Sequence, residues 1–465
     1  MTSRPLLIGG LYYYGWELLD VQGPMSVLLK MASHSQQQVV FVTVGPVEGG
    51  SVESTAHQPV VAHHSYATCP PLDVLVVPGG IGSFVAAKDT ALLDFVEEVA
   101  HTATLVASVC SGSSILAAAG LLDGRRATSN KAWFGPMAAY GSNVDYIHDA
   151  RFVEDGKFVT ASGVSAGLDM AFVLGEKLFG KAIADKVAKQ TFYTPLGNAH
   201  DPFAKIHPRP SSWFGYLHCL GLSLLAPYLV PLETEKPASA SSKDADLSIL
   251  LFPHFDTLDL AGVLESLLPL SKSHKFELIA VNPAPVSTEQ SNLIIQIGGD
   301  STSSNSSYSS ALRVVCDREI TDSTAPESFF PNTEGRPRII YIPNSTHIDS
   351  IAAKNVFEEL QLFDFASRPD SDSRILVSGR SVIAALEKAL KKPLIRALDQ
   401  SIRTHSRSHP GWGRVDRVLV AESGLCGVTA ALEIVQEVAG EAAAKHSVIM
   451  MEIAPQLMPE GMTLE

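Results

Sequence analysis

The sequence predicts an α/β protein: two doubly wound units in tandem, each with a mostly parallel sheet covered on both faces by helices. Three observations carry this. Short runs of Val, Ile and Leu alternate with segments of helical periodicity, the pattern of strand–helix–strand crossovers in a parallel sheet. The same series of segments occurs twice in the same order, which is the signature of an internal duplication. And 465 residues, 46% hydrophobic and 18% charged, suffice for two or three domains with their own cores.

In the first unit, residues 4–9 form the opening strand. The loop Tyr12-Tyr13-Tyr14-Gly15-Trp16 follows, and Asp20 with Gly23-Pro24 opens an amphipathic helix whose apolar positions include Val27, Leu28 and Met31. Residues 38–44 (QVVFVTV) are a second strand, and Val74 to Val77 a third, ending in Pro78-Gly79-Gly80. Glycines directly after a buried strand let the backbone approach a ligand and aim N–H groups at it, although a PGG alone is more often a plain turn. A helix over Thr90 to Ala100 leads to the strand Leu105 to Val109. Cys110-Ser111-Gly112 joins that strand to a helix-like run, Ser113 to Leu122. RFVEDGKFVTASGVSAGLDMAFVLGEKLFG then gives a strand, a turn, another strand and a long helix from roughly Ala166. In open parallel sheets, sites lie at the carboxyl ends of the strands. PGG and Cys110 both fall there.

The first domain is assigned to residues 1–205 and the connection to 206–246. That connection holds the most apolar stretch, 213–232, and then a polar Pro/Ser/Ala-rich linker, 233–246. His218, Pro227 and two glycines interrupt the apolar stretch, leaving it short of the ~20 residues of a membrane span; it reads as a helix packed between domains. Residues 247–450 repeat the first unit in worn form. LSILLFPHFDTLDLAGVLESLL aligns with LLIGGLYYYGWELLDVQGPMSVLL, placing Asp259 opposite Asp20. RIIYIPNSTHIDS aligns with DVLVVPGGIGSF, exchanging Gly79-Gly80 for Asn344-Ser345. RILVSGRSVIAALEKAL aligns with LVASVCSGSSILAAAGL, placing Val377 opposite Cys110. The second unit keeps the strand-forming runs but lacks the cysteine and both glycines, so it is expected to be catalytically silent. Its Ser-rich segment, GGDSTSSNSSYSSA, reads as a mobile surface loop.

A formal charge of −14 without a basic cluster argues against nucleic acid and anionic membrane as partners. The five cysteines, at 69, 110, 219, 316 and 426, are odd in number and include no CxxC pair, so no disulfide framework is expected. With an N-terminus that makes a poor signal peptide, the chain is expected in the cytoplasm. His63, His64 and His101 show no metal-ligand spacing; neither a metal nor another cofactor is expected, and the partner left is a small-molecule substrate. From its own segment Cys110 has two readings. It is a small apolar residue closing a buried strand, or a nucleophile on a strand-to-helix turn, where the helix N-terminus favours a thiolate. The second copy, built without the cysteine, favours the nucleophile.

DVQGP, VVPGG, the strand–Cys–helix elbow, AGLLDGRRATSN and SGVSAGLD, in this order, resemble the ThiJ/PfpI superfamily, and within it the isonitrile hydratase-like branch. The resemblance spans roughly residues 4–190, with the worn copy over 247–445. It implies a flavodoxin-like αβα sandwich in each unit and a cofactor-free reaction with Cys110 as nucleophile. Asp20, on the loop after the first strand, would be acid and base; helix N-capping is its alternative. Backbone N–H groups of Gly80 and Ser111, beside Gly79, would form an oxyanion site. Ser111 keeps the hydroxyl of the threonine that often follows the cysteine. Protease-like members carry histidine there, so its absence argues against peptidase activity. Asn130 stands near the position where hydratase-branch members commonly have histidine. Tyr14 and Trp16 are expected to line the substrate pocket, with packing as their alternative. The chemistry implied is hydration of a small electrophile through a Cys110 thio-intermediate. Another lyase or isomerase step, a glyoxalase-type step and a cysteine-oxidation sensor are the alternatives. Superfamily members commonly dimerise, so the second unit is expected to replace a partner subunit in an intramolecular pseudo-dimer, with further oligomerisation open.

Overall fold

The computed structural model describes residues 4–464 except 36, 57, 199, 208, 210–245, 253–254, 273–274, 282–292, 298–311, 317, 321–338, 346–347, 349–350, 363–373, 405–410 and 423–424. The apolar stretch at 213–232, almost all of the linker and the Ser-rich segment lie outside the described residues.

The first sheet contains β1 (Leu6–Leu11), β2 (Val39–Gly45), β3 (His64–Ser65), β4 (Val74–Val77), β5 (Leu105–Ser108), β6 (Phe152–Asp155) and β7 (Phe158–Ala161), in the order β6-β7-β5-β4-β1-β2-β3. The second contains β8 (Leu247–Leu251), β9 (Phe276–Val281), β10 (Arg318–Ile320), β11 (Ile339–Ile342), β12 (Arg374–Ser378), β13 (Trp412–Val415) and β14 (Val418–Ala421), in the order β13-β14-β12-β11-β8-β9-β10. Strand for strand the two orders are the same. In each sheet the edge hairpin, β6–β7 or β13–β14, is antiparallel and the other pairings are parallel. Central strands such as β4 and β11 are buried at every residue, which is why they read as unbroken apolar runs rather than alternating ones.

The register corrects one alignment. Val77 pairs with Ser108 and Ile342 with Val377. On the other side, Ser108 pairs with Thr160 and Val377 with Val420. Val377 therefore stands opposite Ser108, and the residue opposite Cys110 is Gly379. A slip of two residues leaves every side chain on its own face, but the segments LVASVCSGSSILAAAGL and RILVSGRSVIAALEKAL set end to end without a gap already pair Ser108 with Val377 and Cys110 with Gly379, in agreement with the register.

Along the chain the principal helices are α1 (Leu18–Ser33), α2 (Thr90–Thr102), α3 (Ser113–Ala118), α4 (Val164–Phe179), α5 (Thr257–Leu267), α6 (Arg380–Leu390), α7 (Cys426–Ala439) and α8 (Glu441–Met450). α1 begins earlier than expected: Glu17 is its N-cap, and Asp20 lies inside the first turn, so it is neither a loop residue nor the cap. α1 packs against α4 and, across the two units, against α5. Lys30 on α1 pairs with Asp256, the N-cap of α5, at 2.5 Å. At the other end, the Leu18 N–H donates to Glu265 Oε1 on α5 at 2.8 Å. One apolar core runs through this contact from β1 to Met458, and a second lies on the outer face of the second sheet. A small sheet joins the units as well, where Val60 in Pro59–Val61 bridges Val314 in Leu312–Cys316. After α8 the chain returns to the first unit. Met451 O accepts from the Val164 N–H at 3.1 Å, and Gln456 donates to Thr194 O at 2.7 Å. Among the described residues, no helix is long and apolar enough to cross a membrane.

Candidate active site

β5 runs extended through Val109 and the backbone then turns sharply, with Cys110 at φ +58°. That left-handed conformation costs an L-residue other than glycine about 1 kcal/mol or more. It aims Cys110 out of the sheet at the carboxyl end of β5, while Cys110–Gly112 forms one tight turn leading into α3. The turn rests directly on β4. A Cβ on Gly112 would stand 2.5 Å from the carbonyl oxygens of Val77 and Pro78, and one on Gly79 would stand 2.5 Å from Ser111 N and 2.9 Å from Cys110 Cβ. The glycines of PGG and CSG are thus required by close approach of two backbones.

Asp20 is fully buried and points from the first turn of α1 to the same place. Its Oδ2 accepts the Gly79 N–H at 2.8 Å, while its Oδ1 has no hydrogen-bond partner. Burial holds this carboxyl well above the usual carboxylate range, and the charges of Glu17 and Glu452 act in the same direction. The thiol behaves likewise. Burial pushes Cys110 well above its ordinary value, Asp20, Glu17 and Glu452 add to that, and only the Ser111 N–H acts against them. The expected thiolate-favouring environment is therefore corrected: burial, the largest cause, makes this turn hold a thiol. The desolvation of Cys110, a residue only 7% exposed, outweighs a single N–H at a short helix.

The other predicted residues divide. Ser111 Oγ accepts from the Gly80 N–H at 3.1 Å and from Ser83 Oγ at 2.9 Å. The Gly80 N–H is thus occupied by the Ser111 hydroxyl, whereas the Ser111 N–H addresses the sulfur. Asn130 is buried beside the turn: its Oδ1 accepts the Trp133 N–H at 3.2 Å, and its Nδ2 is buried without a partner. Its neighbour Ser129 donates to Cys110 O at 3.1 Å. Trp16 is fully buried, edge-on to Tyr12 with ring centroids 4.6 Å apart, and belongs to the core. Tyr14 lines a cavity of about 250 Å³ with Tyr13, Tyr66 and Val85, among whose lining residues are neither Cys110 nor Asp20. Tyr13, not selected from the sequence, adjoins the turn: its hydroxyl donates to Pro78 O at 2.7 Å and to Gly79 O at 2.8 Å.

Three further acidic residues surround the pair, none selected from the sequence. Glu17 caps α1, and Glu265 and Glu452 come from the second unit. Glu265 is fully buried, raised well above its ordinary value by burial and by Glu17. Glu452 is fully buried and pushed up to about 7 by burial and by Asp201, against the pull of Lys131. Lys131 is buried too; its Nζ donates to Thr128 Oγ1, Ser129 O and Ala150 O and lies 3.5 Å from Asp201. Glu17 and Lys131 adjoin residues already singled out. Glu452 follows the last helix of the repeat and carries no local signal. Among the described residues, no group of three or more His, Cys, Asp or Glu side chains is placed to hold a metal ion.

The sequence profile of the DJ-1/PfpI family matches residues 11–177, the segment that builds this site. Over 190 residues the chain is 37% identical to isonitrile hydratase of Pseudomonas putida, covering 41% of this chain and 79% of that protein. The chain belongs to the DJ-1/PfpI family. A second relative in the family, protein dj-1beta of Drosophila melanogaster, is 28% identical over 154 residues, 32% of this chain and 81% of that one. Among solved structures, a ThiJ/PfpI family protein from Pseudomonas syringae is similar at 29% identity and a TM-score of 0.40, covering 49% of this chain and 91% of that one.

Proposed function

We propose that the first unit is a cofactor-free cysteine/aspartate hydratase acting on a small apolar electrophile of the isonitrile class. The observation that supports this most is the buried pair itself: Cys110 in left-handed backbone, beside a carboxyl that keeps its proton and has one oxygen free. A neutral acid is what an isonitrile needs, because its terminal carbon must be protonated as the sulfur attacks. In this reading Asp20 gives its proton to that carbon and takes the thiol proton in return, while sulfur bonds the carbon to give a thioimidate. Water then adds to the thioimidate carbon, one of its protons passing through Asp20 to nitrogen. The C–S bond breaks, the remaining hydroxyl proton returns to sulfur, and an N-substituted formamide leaves. The Ser111 N–H and the unpaired Asn130 Nδ2 are the donors available for charge developing around the carbon.

The similarity to a protein named isonitrile hydratase adds to this reading. A peroxide sensor is disfavoured on physical grounds, since sensor cysteines are exposed and of low pKa and Cys110 is buried with its pKa raised. The test is formamide release from a simple alkyl isonitrile by wild type and by Cys110→Ala. Turnover by wild type and its loss, ~10³-fold or more, in the variant are expected; equal rates in both proteins would sink the covalent route. The second unit is proposed to take the place of a partner subunit, so the full chain should sediment as a monomer; a stable dimer of full chains would count against this.

A further inference from the structure

Besides Glu265 on α5, the second unit brings the turn that follows α8 to the Cys110 site. Glu452 in this turn has φ +49°, a left-handed conformation at a non-glycine residue, and is fully buried. Its backbone is tied to the first unit on both sides. The Ser165 hydroxyl donates to Glu452 O, and the Val164 N–H to Met451 O. Its side chain lies in a cradle made by a missing side chain: a Cβ on Gly163 would stand 2.5 Å from Glu452 Cβ and from Oε2. There Oε1 accepts the N–H of Lys131, the residue after Asn130. Strained backbone, a glycine cradle and a buried carboxylate on the Asn130–Lys131 turn are more than packing between two units requires.

We propose that Glu452 is a positioning residue contributed by the second unit to the first: it fixes the Ser129–Lys131 turn beside Cys110 and, by its charge, sets how readily the Cys110 thiol ionises. The proposal rests on Cys110 being the reacting group of the preceding section. The groups facing Glu452 are Lys131 and Asp201, Ser162 at the end of β7, and, across the site, Asp20 and Cys110. Arg151, held by Asp169 at 2.6 Å and by Ser165 at 3.0 Å, stands behind Lys131. Facing Cys110 are Asp20, Glu17, Glu452 and the Tyr13 hydroxyl. Glu452 is held at about 7, so it gains its charge across neutral pH, and that charge opposes the thiolate.

The test is alkylation of Cys110 by iodoacetamide in the full chain, followed by peptide mass from pH 5 to 10, for wild type and Glu452→Gln. Glutamine still accepts the Lys131 N–H but carries no charge. The two rates should agree below pH 6 and diverge above pH 8, the variant reacting roughly threefold to tenfold faster, an apparent thiol pKa lower by about 0.5–1. Superimposed profiles would overturn the proposal. Should Glu452→Gln fail to fold, wild type alone decides: its alkylation must show a second inflection near pH 7, and a single-proton curve refutes the role. Activity separates the two claims. A wild type that hydrates no isonitrile but shows the alkylation shift defeats the hydratase reading and keeps Glu452; hydration with superimposed alkylation curves does the reverse.

Discussion

The two strand-to-helix junctions, at Cys110 and at Gly379, are the same backbone device with different occupants. Cys110 lies two residues beyond Ser108, the end of β5, and Gly379 two residues beyond its counterpart Val377 in β12, and both have positive φ, +58° and +86°. In both copies an aspartate in the first turn of the leading helix accepts the N–H after the proline of the facing strand: Asp20 from Gly79 at 2.8 Å, Asp259 from Asn344 at 3.4 Å. In both copies the second aspartate oxygen has no partner. What differs is which side fills the space between. In the first unit the cysteine projects and Gly79 yields. In the second, Asn344 projects and Gly379 yields, since a Cβ there would stand 1.9 Å from Asn344 Oδ1. The comparison teaches that the left-handed turn and the aspartate brace are architectural, because the copy without a cysteine has them too. What the first unit adds is a side chain on a backbone that glycine would occupy without strain.

The largest effect should separate the two aspartates. Asp20→Asn keeps an oxygen for the Gly79 N–H but ends proton transfer, and should lower isonitrile turnover by ~10²–10⁴-fold. Asp259→Asn should leave turnover unchanged. Comparable losses in both would mean that the aspartate acts only as a brace. The next effect tests the reciprocal filling. Gly379→Ala should cost about 1–3 kcal/mol in urea unfolding, and most of that steric cost should vanish in an Asn344→Gly background. A full cost in both backgrounds would show that Asn344 does not occupy this space in solution.

A third effect concerns pH. Burial raises Asp259 well above its ordinary value, partly offset by Lys30. The native state therefore keeps a proton that the unfolded chain releases near pH ~3.9. Stability is highest below that pH and is lost as pH rises toward the native value. Asp259→Asn removes the dependence, so the stability of the variant relative to wild type should grow between pH 4 and pH 8, by about 1 kcal/mol or more. A difference that stays flat over this range would mean that Asp259 is solvated.

Much of this was legible in the chain. The strands announced themselves as apolar runs, their repetition gave the tandem plan, and the elbow motif led to Cys110, Asp20, Gly79 and Ser111. What could not be read has physical causes. Setting Val377 opposite Cys110 is a displacement of two residues, which preserves the face of every side chain; the ungapped segments and the pairing on both sides of β12 agree on Gly379. Trp16 and Tyr13 share one aromatic run, and which ring is core and which approaches the site depends on the turn at Gly15, φ +76°. The helix-terminus argument for a thiolate failed because burial raises the thiol first, and that burial, with the acidic groups Glu17, Asp20 and Glu452, comes from segments 90 or more positions away in sequence. Glu452 is more than 300 residues from the turn it holds, and no local periodicity marks such a contact.

The smallest effect is the most specific to the comparison. In an ordinary strand or helix, glycine is less stable than alanine by roughly 0.5–1 kcal/mol, because the unfolded chain gains freedom. At position 110 the order should reverse or vanish. Cys110→Ala and Cys110→Gly both lose the sulfur, but alanine keeps the cost of the +58° backbone and glycine is released from it, by about 1 kcal/mol. The two gains oppose each other at similar size, so the glycine variant should match or exceed the alanine variant in urea midpoint at equal m-value. Measured at Val109, whose φ is −121°, the same pair of substitutions should show the usual order, with glycine the weaker. If alanine is the more stable at both positions, the left-handed turn at Cys110 is not held in solution, and the equivalence with Gly379 fails with it.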